Sequence, residues 1–206
     1  MDVGLNYKQL VGAGLFLGNH LNYIFNYNDC YNYFYGIRAG IVIFRIQSVL
    51  FCYRRAVYII FFSGLLNRKI LFVCNNLYYQ NLFLLLFKTL RKYFIVAFNL
   101  NNGGFLTNKL HVIFRKLRKG FPRCVVLANF DNSLILEVAR VGIASVSLVD
   151  SEHNYLLPSH GVLSNNKNLS SVAVFLNLIK EGLLHARGVR GVQFFMSFFR
   201  RCRVCA

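Results

Sequence analysis

The sequence predicts an α/β fold: a central, largely parallel sheet flanked by helices on both faces, in flavodoxin-like layers. Three observations predict it. Strand-like runs of five or six apolar residues alternate with helical stretches of ten or more. The runs are continuously apolar rather than alternating, as strands covered on both faces must be. An apolar fraction of 56% over 206 residues is enough for one substantial core and argues against disorder. Residues 1–184 are expected to form this domain, and residues 185–206 a basic, aromatic C-terminal arm.

Asn6 to Gly12 reads as a short helix, and Gly14 to Asn32, rich in Gly, Asn and Tyr, as loop. Tyr35 to Ile46 reads as extended, broken by turns at Gly36 and Gly40. Gln47 to Leu66 is expected to be helical, because Val49, Cys52, Ala56, Ile59 and Ile60 recur at helical spacing. Arg68 and Lys69 end it and lead into a strand from Ile70 to Cys74. A helix from Tyr78 to Arg91 and a strand from Tyr93 to Phe98 follow. Thr107 is placed to cap a helix running to Lys119. A strand from Cys124 to Ala128, a helix from Leu134 to Val141 closed by Gly142, a strand from Ala144 to Val149 and a helix from Leu169 to Leu184 complete the domain. The arm carries Arg187, Arg190, Arg200, Arg201 and Arg203 without an acid, interleaved with phenylalanines. Such a segment orders on contact with RNA or a neighbouring protein, or docks on the domain as an amphipathic helix.

Charge narrows the function. The chain has 24 Lys and Arg against 7 Asp and Glu, a formal +17. In the first 130 residues 16 are basic and 2 are acidic. A folded body with such a surplus points to a polyanion, most often nucleic acid. A membrane is the main rival. The stretch from Ile70 to Phe87 is uncharged for 18 residues, but Asn75, Asn76, Gln80 and Asn81 interrupt it. The stretch from Ile41 to Leu66 holds Arg45, Arg54 and Arg55, costly at bilayer depth. No stable membrane insertion is expected. Met1 to Gly18, with an early Asp2 and a short apolar run, does not read as a secretory signal. The 21 Phe, 12 Tyr and many Asn fit an A- and T-rich coding bias of the kind found in organelle genomes.

Catalytic constellations are poor. Acids are too few for paired-carboxylate chemistry. Asp131 and Asp150 follow strands, at the sheet edge where ligands usually bind. Asp150, Glu152 and His153 have the chemistry to hold a metal, yet residues of this kind more often shape a loop. Gly12-Ala13-Gly14 lacks the preceding strand and spacing of a dinucleotide fingerprint, and no phosphate-loop pattern exists. Cys52, Cys74 and Cys124 sit in apolar runs and read as small hydrophobes. Cys202 and Cys205 have metal-ligand spacing, but no second pair or nearby His completes four ligands. No enzyme activity, cofactor or metal is expected.

The basic residues are better organised. Arg38 and Arg45 flank the first strand-like segment, and Arg54 and Arg55 lie on the second helix. Lys109, Arg115, Lys116, Arg118 and Lys119 crowd the helix after Thr107; Arg115, Arg118 and Lys119 can share one face. Phosphates would relieve their mutual repulsion and release counterions. Gly103-Gly104-Phe105-Leu106-Thr107-Asn108 allows a sharp turn, after which helix N–H groups are expected to be free to meet a phosphate. A purely structural turn is the alternative. Gly103, Gly104, Thr107, Asn108, Lys167, Arg200 and Arg201 join the basic residues as candidate RNA contacts.

In their order these motifs resemble the second protein of the small ribosomal subunit, in its bacterial and organellar form. Val11-Gly12-Ala13-Gly14 with Leu17-Gly18-Asn19-His20 resembles that family's opening helix and glycine-histidine turn. Tyr35-Gly36-Ile37-Arg38-Ala39-Gly40 with Ile41-Val42-Ile43 resembles its first hairpin, and Lys69-Ile70-Leu71-Phe72-Val73 its next strand. Gly103 to Asn108 matches its most characteristic motif, and Glu137, Ala139, Gly142-Ile143 and Leu148-Val149-Asp150 follow in order. The chain departs from the family at Lys119-Gly120-Phe121-Pro122, where a projecting helical hairpin is missing, and at Ser164-Asn165-Asn166-Lys167-Asn168, where a Lys stands among lost acids. The resemblance implies a structural constituent of the small subunit, the mitochondrial member of the family and not a homo-oligomer. It would bind small-subunit ribosomal RNA and neighbouring ribosomal proteins in the head and neck region. The alternatives are a basic membrane-associated protein and a small nucleotide-binding enzyme on the same layered sheet.

Overall fold

The computed structural model describes residues 11–20, 31–98, 104, 106–108, 122–128, 130 and 132–188. The chain first forms a small antiparallel sheet from β1 (Leu17–His20), β2 (Phe34–Arg38) and β3 (Ile41–Phe44), in the order β1-β3-β2. The expected turn at Gly40 is present, but the one expected at Gly36 is not: Gly36 lies within β2, paired with Ile43 beside a register irregularity. Ala39 and Gly40 both have positive φ, 49° and 74°, as a two-residue turn matched to strand twist requires. β1 falls where the sequence reads as loop. Leu-Gly-Asn-His has little strand character of its own, and pairing with β3 (Leu17↔Ile43) makes it a strand. Gly18 permits that pairing: a Cβ there would lie 3.1–3.3 Å from Ser151, Val42 and Phe44 side-chain atoms.

α1 (Ile46–Leu65) buries Val49, Cys52, Tyr53, Ala56, Val57 and Ile60. It leads into β4 (Ile70–Cys74), which is buried throughout. α2 (Leu77–Leu86) begins at Asn76, whose side chain accepts from Tyr78 N at 2.9 Å. The expected helix to Arg91 stops short, and a 3-10 segment, Lys88–Tyr93, replaces its last turn. The tighter winding keeps Phe87 and Leu90 on one side and inside the core. There Phe83 stacks on Phe72 and Phe87, with ring centroids 3.8 and 4.4 Å apart.

β5 (Phe94–Phe98), β6 (Cys124–Leu127), α3 (Asn132–Val141), β7 (Ala144–Val149), β8 (His160–Leu163) and α4 (Leu169–Arg187) follow. The five later strands form one parallel sheet in the order β5-β4-β6-β7-β8. β8 has no counterpart in the sequence reading. It is four residues long, opens on His-Gly, and follows β7 through a loop rather than a helix. Gly161 is required there, because a Cβ would meet the Tyr155 ring at 2.9 Å. α4 reaches Arg187, three residues into the segment expected to be arm. Residues 189–206 lie outside the described residues, as do most of the helix expected from Asn6, of which Val11 and Gly12 are described and helical, and most of that expected from Thr107.

Alternate residues of each strand face opposite ways, and both sets are buried. Ile70, Phe72, Val126, Val146 and Leu148 pack with α1, α2 and α4. Leu71, Val73, Val125 and Leu127 pack with Leu134, Ile135 and Val138 of α3, and with Leu106. Helices therefore flank the sheet on both faces. Glycines bring α1 and α4 close. A Cβ on Gly64 would stand 2.7 Å from that of Ala186, and one on Gly182 would stand 3.2 Å from Val57 Cγ1.

Candidate nucleic-acid interface

Arg38 ends β2 and is exposed. Arg45 lies between β3 and α1; its Nε donates to Phe34 O at 3.0 Å, so part of its role is to tie the hairpin to the helix start. Arg54 and Arg55 lie on α1, Arg54 half-buried and Arg55 exposed. The Arg55 guanidinium sits 5.5 Å from the Phe51 ring centroid. It also borders a cavity of about 250 Å³ with Tyr33, Cys52, Tyr155, Ser159 and His160. Burial, and then the Arg55 charge, pull the His160 imidazole below its usual range.

The glycine-rich turn does not offer free N–H groups at the positions described. Glu137 of α3, itself buried, turns its carboxylate toward it. Its Oε1 accepts from Leu106 N at 2.5 Å, Thr107 N at 2.8 Å and the Thr107 hydroxyl at 3.0 Å. Asn108 N donates to Gly104 O at 2.9 Å, and Gly104 has φ 86°. These donors are spent on holding the turn, so the expectation that they await a phosphate is corrected. A carboxylate placed at three donors is the stronger competitor for them. Thr107 and Asn108 are exposed, and their side chains remain at the surface.

Lys167 is not an unopposed cation, because its Nζ pairs with Glu152. Asp150, at the end of β7, serves the loops rather than standing open. Its Oδ1 accepts from Ser151 N at 2.7 Å and its Oδ2 from Asn166 N at 3.3 Å. Burial pushes its carboxyl up to about 6, against those hydrogen bonds. His153 Nε2 lies 3.3 Å from Phe130 O. Among the described residues no group of three or more His, Cys, Asp or Glu gathers to hold a metal. Cys52, Cys74 and Cys124 are buried free thiols, as their apolar runs imply, and burial raises Cys74 and Cys124 to about 11.

Gly103, Lys109, Arg115, Arg118, Lys119, Arg200 and Arg201 lie outside the described residues. Sequence reasoning missed a second basic set at the N-terminal ends of the parallel strands. Arg68 and Lys69 immediately precede β4, and Arg123 immediately precedes β6. Arg123 N donates to Lys69 O at 3.3 Å. Lys88 opens the segment before β5, Arg140 lies in the last turn of α3 before β7, and Arg187 ends α4. The signal was present: these cations cluster at strand starts and helix ends, which one edge of a parallel sheet brings together. Among the described residues one ion pair forms, Lys167 with Glu152.

Set beside known proteins, the chain matches no family model and no curated protein.

Proposed function

We propose that this chain is a structural, RNA-binding protein of the small ribosomal subunit of an organelle, the mitochondrion by its coding bias. It would lie in the head and neck region, against ribosomal RNA and neighbouring ribosomal proteins. The observation that carries the reading is the unmatched positive charge: +17 overall, with one cation of the described residues held by an acid. A cationic surface on a rigid α/β body fixes position against phosphate without reading sequence. The collinear motifs support it, and so does the way Glu137 organises the Gly104 to Asn108 turn. The layering is read as flavodoxin-like. Counted by parallel strand, β5-β4-β6-β7-β8 is the order 2-1-3-4-5 of that arrangement. The reading is non-enzymatic, with no cofactor and no homo-oligomer.

Sedimentation of native particles tests it. The protein is expected to travel with the small subunit and to move to the top of the gradient after ribonuclease treatment. Finding it at the top without ribonuclease would refute the proposal.

A second reading, membrane association, rests on α1 and α4. Both are long and apolar enough to cross a membrane, and half of each apolar window is buried inside the protein. Phe51, Leu65 and Leu184 remain exposed on them. The basic groups would then meet anionic headgroups. Against insertion, the two helices pack on each other and on the sheet, and Arg54 and Arg55 sit midway along α1. Retention in the membrane pellet after a high-salt wash and ribonuclease would favour this second reading.

A further inference from the structure

We propose that the edge of the parallel sheet formed by its strand N-termini is a phosphate-binding rim, and that the chain seats this edge on the sugar-phosphate backbone of RNA. The proposal rests on the RNA-binding reading above and gives it an orientation. The strand register builds the rim. Phe94, Ile70, Cys124 and Ala144 are paired in one row across β5, β4, β6 and β7. The row one residue earlier is therefore Tyr93, Lys69, Arg123 and Ile143. Neighbouring strands are about 4.8 Å apart, so Lys69 lies about one strand from Tyr93 on one side and from Arg123 on the other. The Arg187 guanidinium sits over the Tyr93 ring, 4.0 Å from its centroid, and its Nε is buried without a hydrogen-bond partner. Arg68 is one residue behind Lys69 and close enough to act on Cys124 through its charge.

Two features argue that the rim is more than a solvated edge. The first is polarity. Of the four described acids, Asp150 and Glu152 lie beyond the C-terminal end of β7, at the opposite edge, where Lys167 is also placed and neutralised; Glu137 is held by the Leu106–Thr107 turn, and Glu181 lies on α4. The second is magnitude. Helix C-termini gather at the strand N-terminal edge, and cations there are favoured by the helix dipoles. Each helix end is worth about half a negative charge, so α1 to α4 offset roughly two cations. Arg68, Lys69, Lys88, Arg123, Arg140 and Arg187 supply six. None of the six forms an ion pair among the described residues, and Arg68, Lys88, Arg123 and Arg140 are exposed. A backbone of regularly spaced phosphates fits such a row, and each contact releases counterions.

The test uses the full chain, a synthetic double-stranded RNA hairpin and vesicles of mixed phosphatidylglycerol and phosphatidylcholine. Affinity is measured across a salt series for the wild type, for R68Q/K69Q/R123Q and for K88Q/R140Q. Circular dichroism checks folding, and the second variant stands if the first fails to fold. Each lost phosphate contact reduces the slope of log affinity against log salt by about 0.7–0.9. The triple variant is expected to lose about 2 to 3 in slope and the double variant about 1.5. A wild type that binds RNA steeply, with both folded variants keeping its slope, would overturn the rim and leave the RNA reading standing. A wild type that binds vesicles and not RNA would overturn both.

Discussion

Replacing Glu137 by Ala is expected to be among the costlier single changes outside the apolar core. One carboxylate oxygen accepts from Leu106 N, Thr107 N and the Thr107 hydroxyl. Leu106 has no exposed surface, so water cannot replace the lost partner of its N–H. A stranded buried donor costs about 1–3 kcal/mol, and a hydrogen bond to a charged group contributes about 1.5–3 kcal/mol. Thr107 is exposed, so solvent recovers most of its share. Relief of the carboxylate's own desolvation offsets part of the rest. The net loss is expected at about 2–4 kcal/mol for Glu137→Ala. Glu137→Gln keeps an acceptor oxygen and loses only the charge, so about 1 kcal/mol is expected. Urea denaturation at constant m gives the stability change. Amide exchange at Leu106 reports the turn itself, and its protection is expected to fall in the Ala variant. An Ala variant within about 0.5 kcal/mol of wild type, with Leu106 still protected, would refute the assignment of Glu137 as the clamp.

Gly64→Ala puts a methyl 2.7 Å from Ala186 Cβ, and that short side chain cannot move without its backbone. Overpacking costs about 1–3 kcal/mol and outweighs the propensity gain near a helix end, so destabilisation is expected in urea melts, with partial rescue by Ala186→Gly. Ala39 occupies the left-handed region at φ 49°, which costs an L-residue about 1–2 kcal/mol. Ala39→Asn, giving the preferred Asn-Gly turn, is expected to raise the thermal midpoint; a lower one would count against the turn. Asp150 titrates at about 6 when folded, above its ordinary 3.8. Its carboxyl therefore favours the folded state fully below pH 3.8. That contribution, about 3 kcal/mol, is lost as pH rises through 6. A carboxyl carbon titration with its midpoint near 6 is expected, and a midpoint below 4 would contradict the burial argument.

The parallel sheet was legible because its strands are buried on both faces and leave uninterrupted apolar runs, as in Ile70 to Cys74 and Cys124 to Leu127. β1 and β8 were not, because each is four residues long, contains Gly and His, and owes its conformation to a partner strand distant in sequence. The N-terminal edge was missed for a related reason. Lys69, Arg123 and Arg187 are far apart in the chain; the register of β4 with β5 and β6 sets Lys69 between Tyr93 and Arg123, and Arg187 joins them over the Tyr93 ring. The sequence reading placed the Gly104 to Asn108 motif correctly as a turn. What it lacked was Glu137, about thirty residues away, whose carboxylate takes the donors a phosphate would need.

Photo-crosslinking in native extract, with the peptides of this chain that carry nucleotide or lipid identified by mass spectrometry, tests the central claim most directly. RNA is expected to label peptides around Lys69 and Arg123 and to spare those around Asp150 and Glu152. Lipid adducts on α1 without nucleotide adducts at the strand N-termini would contradict it.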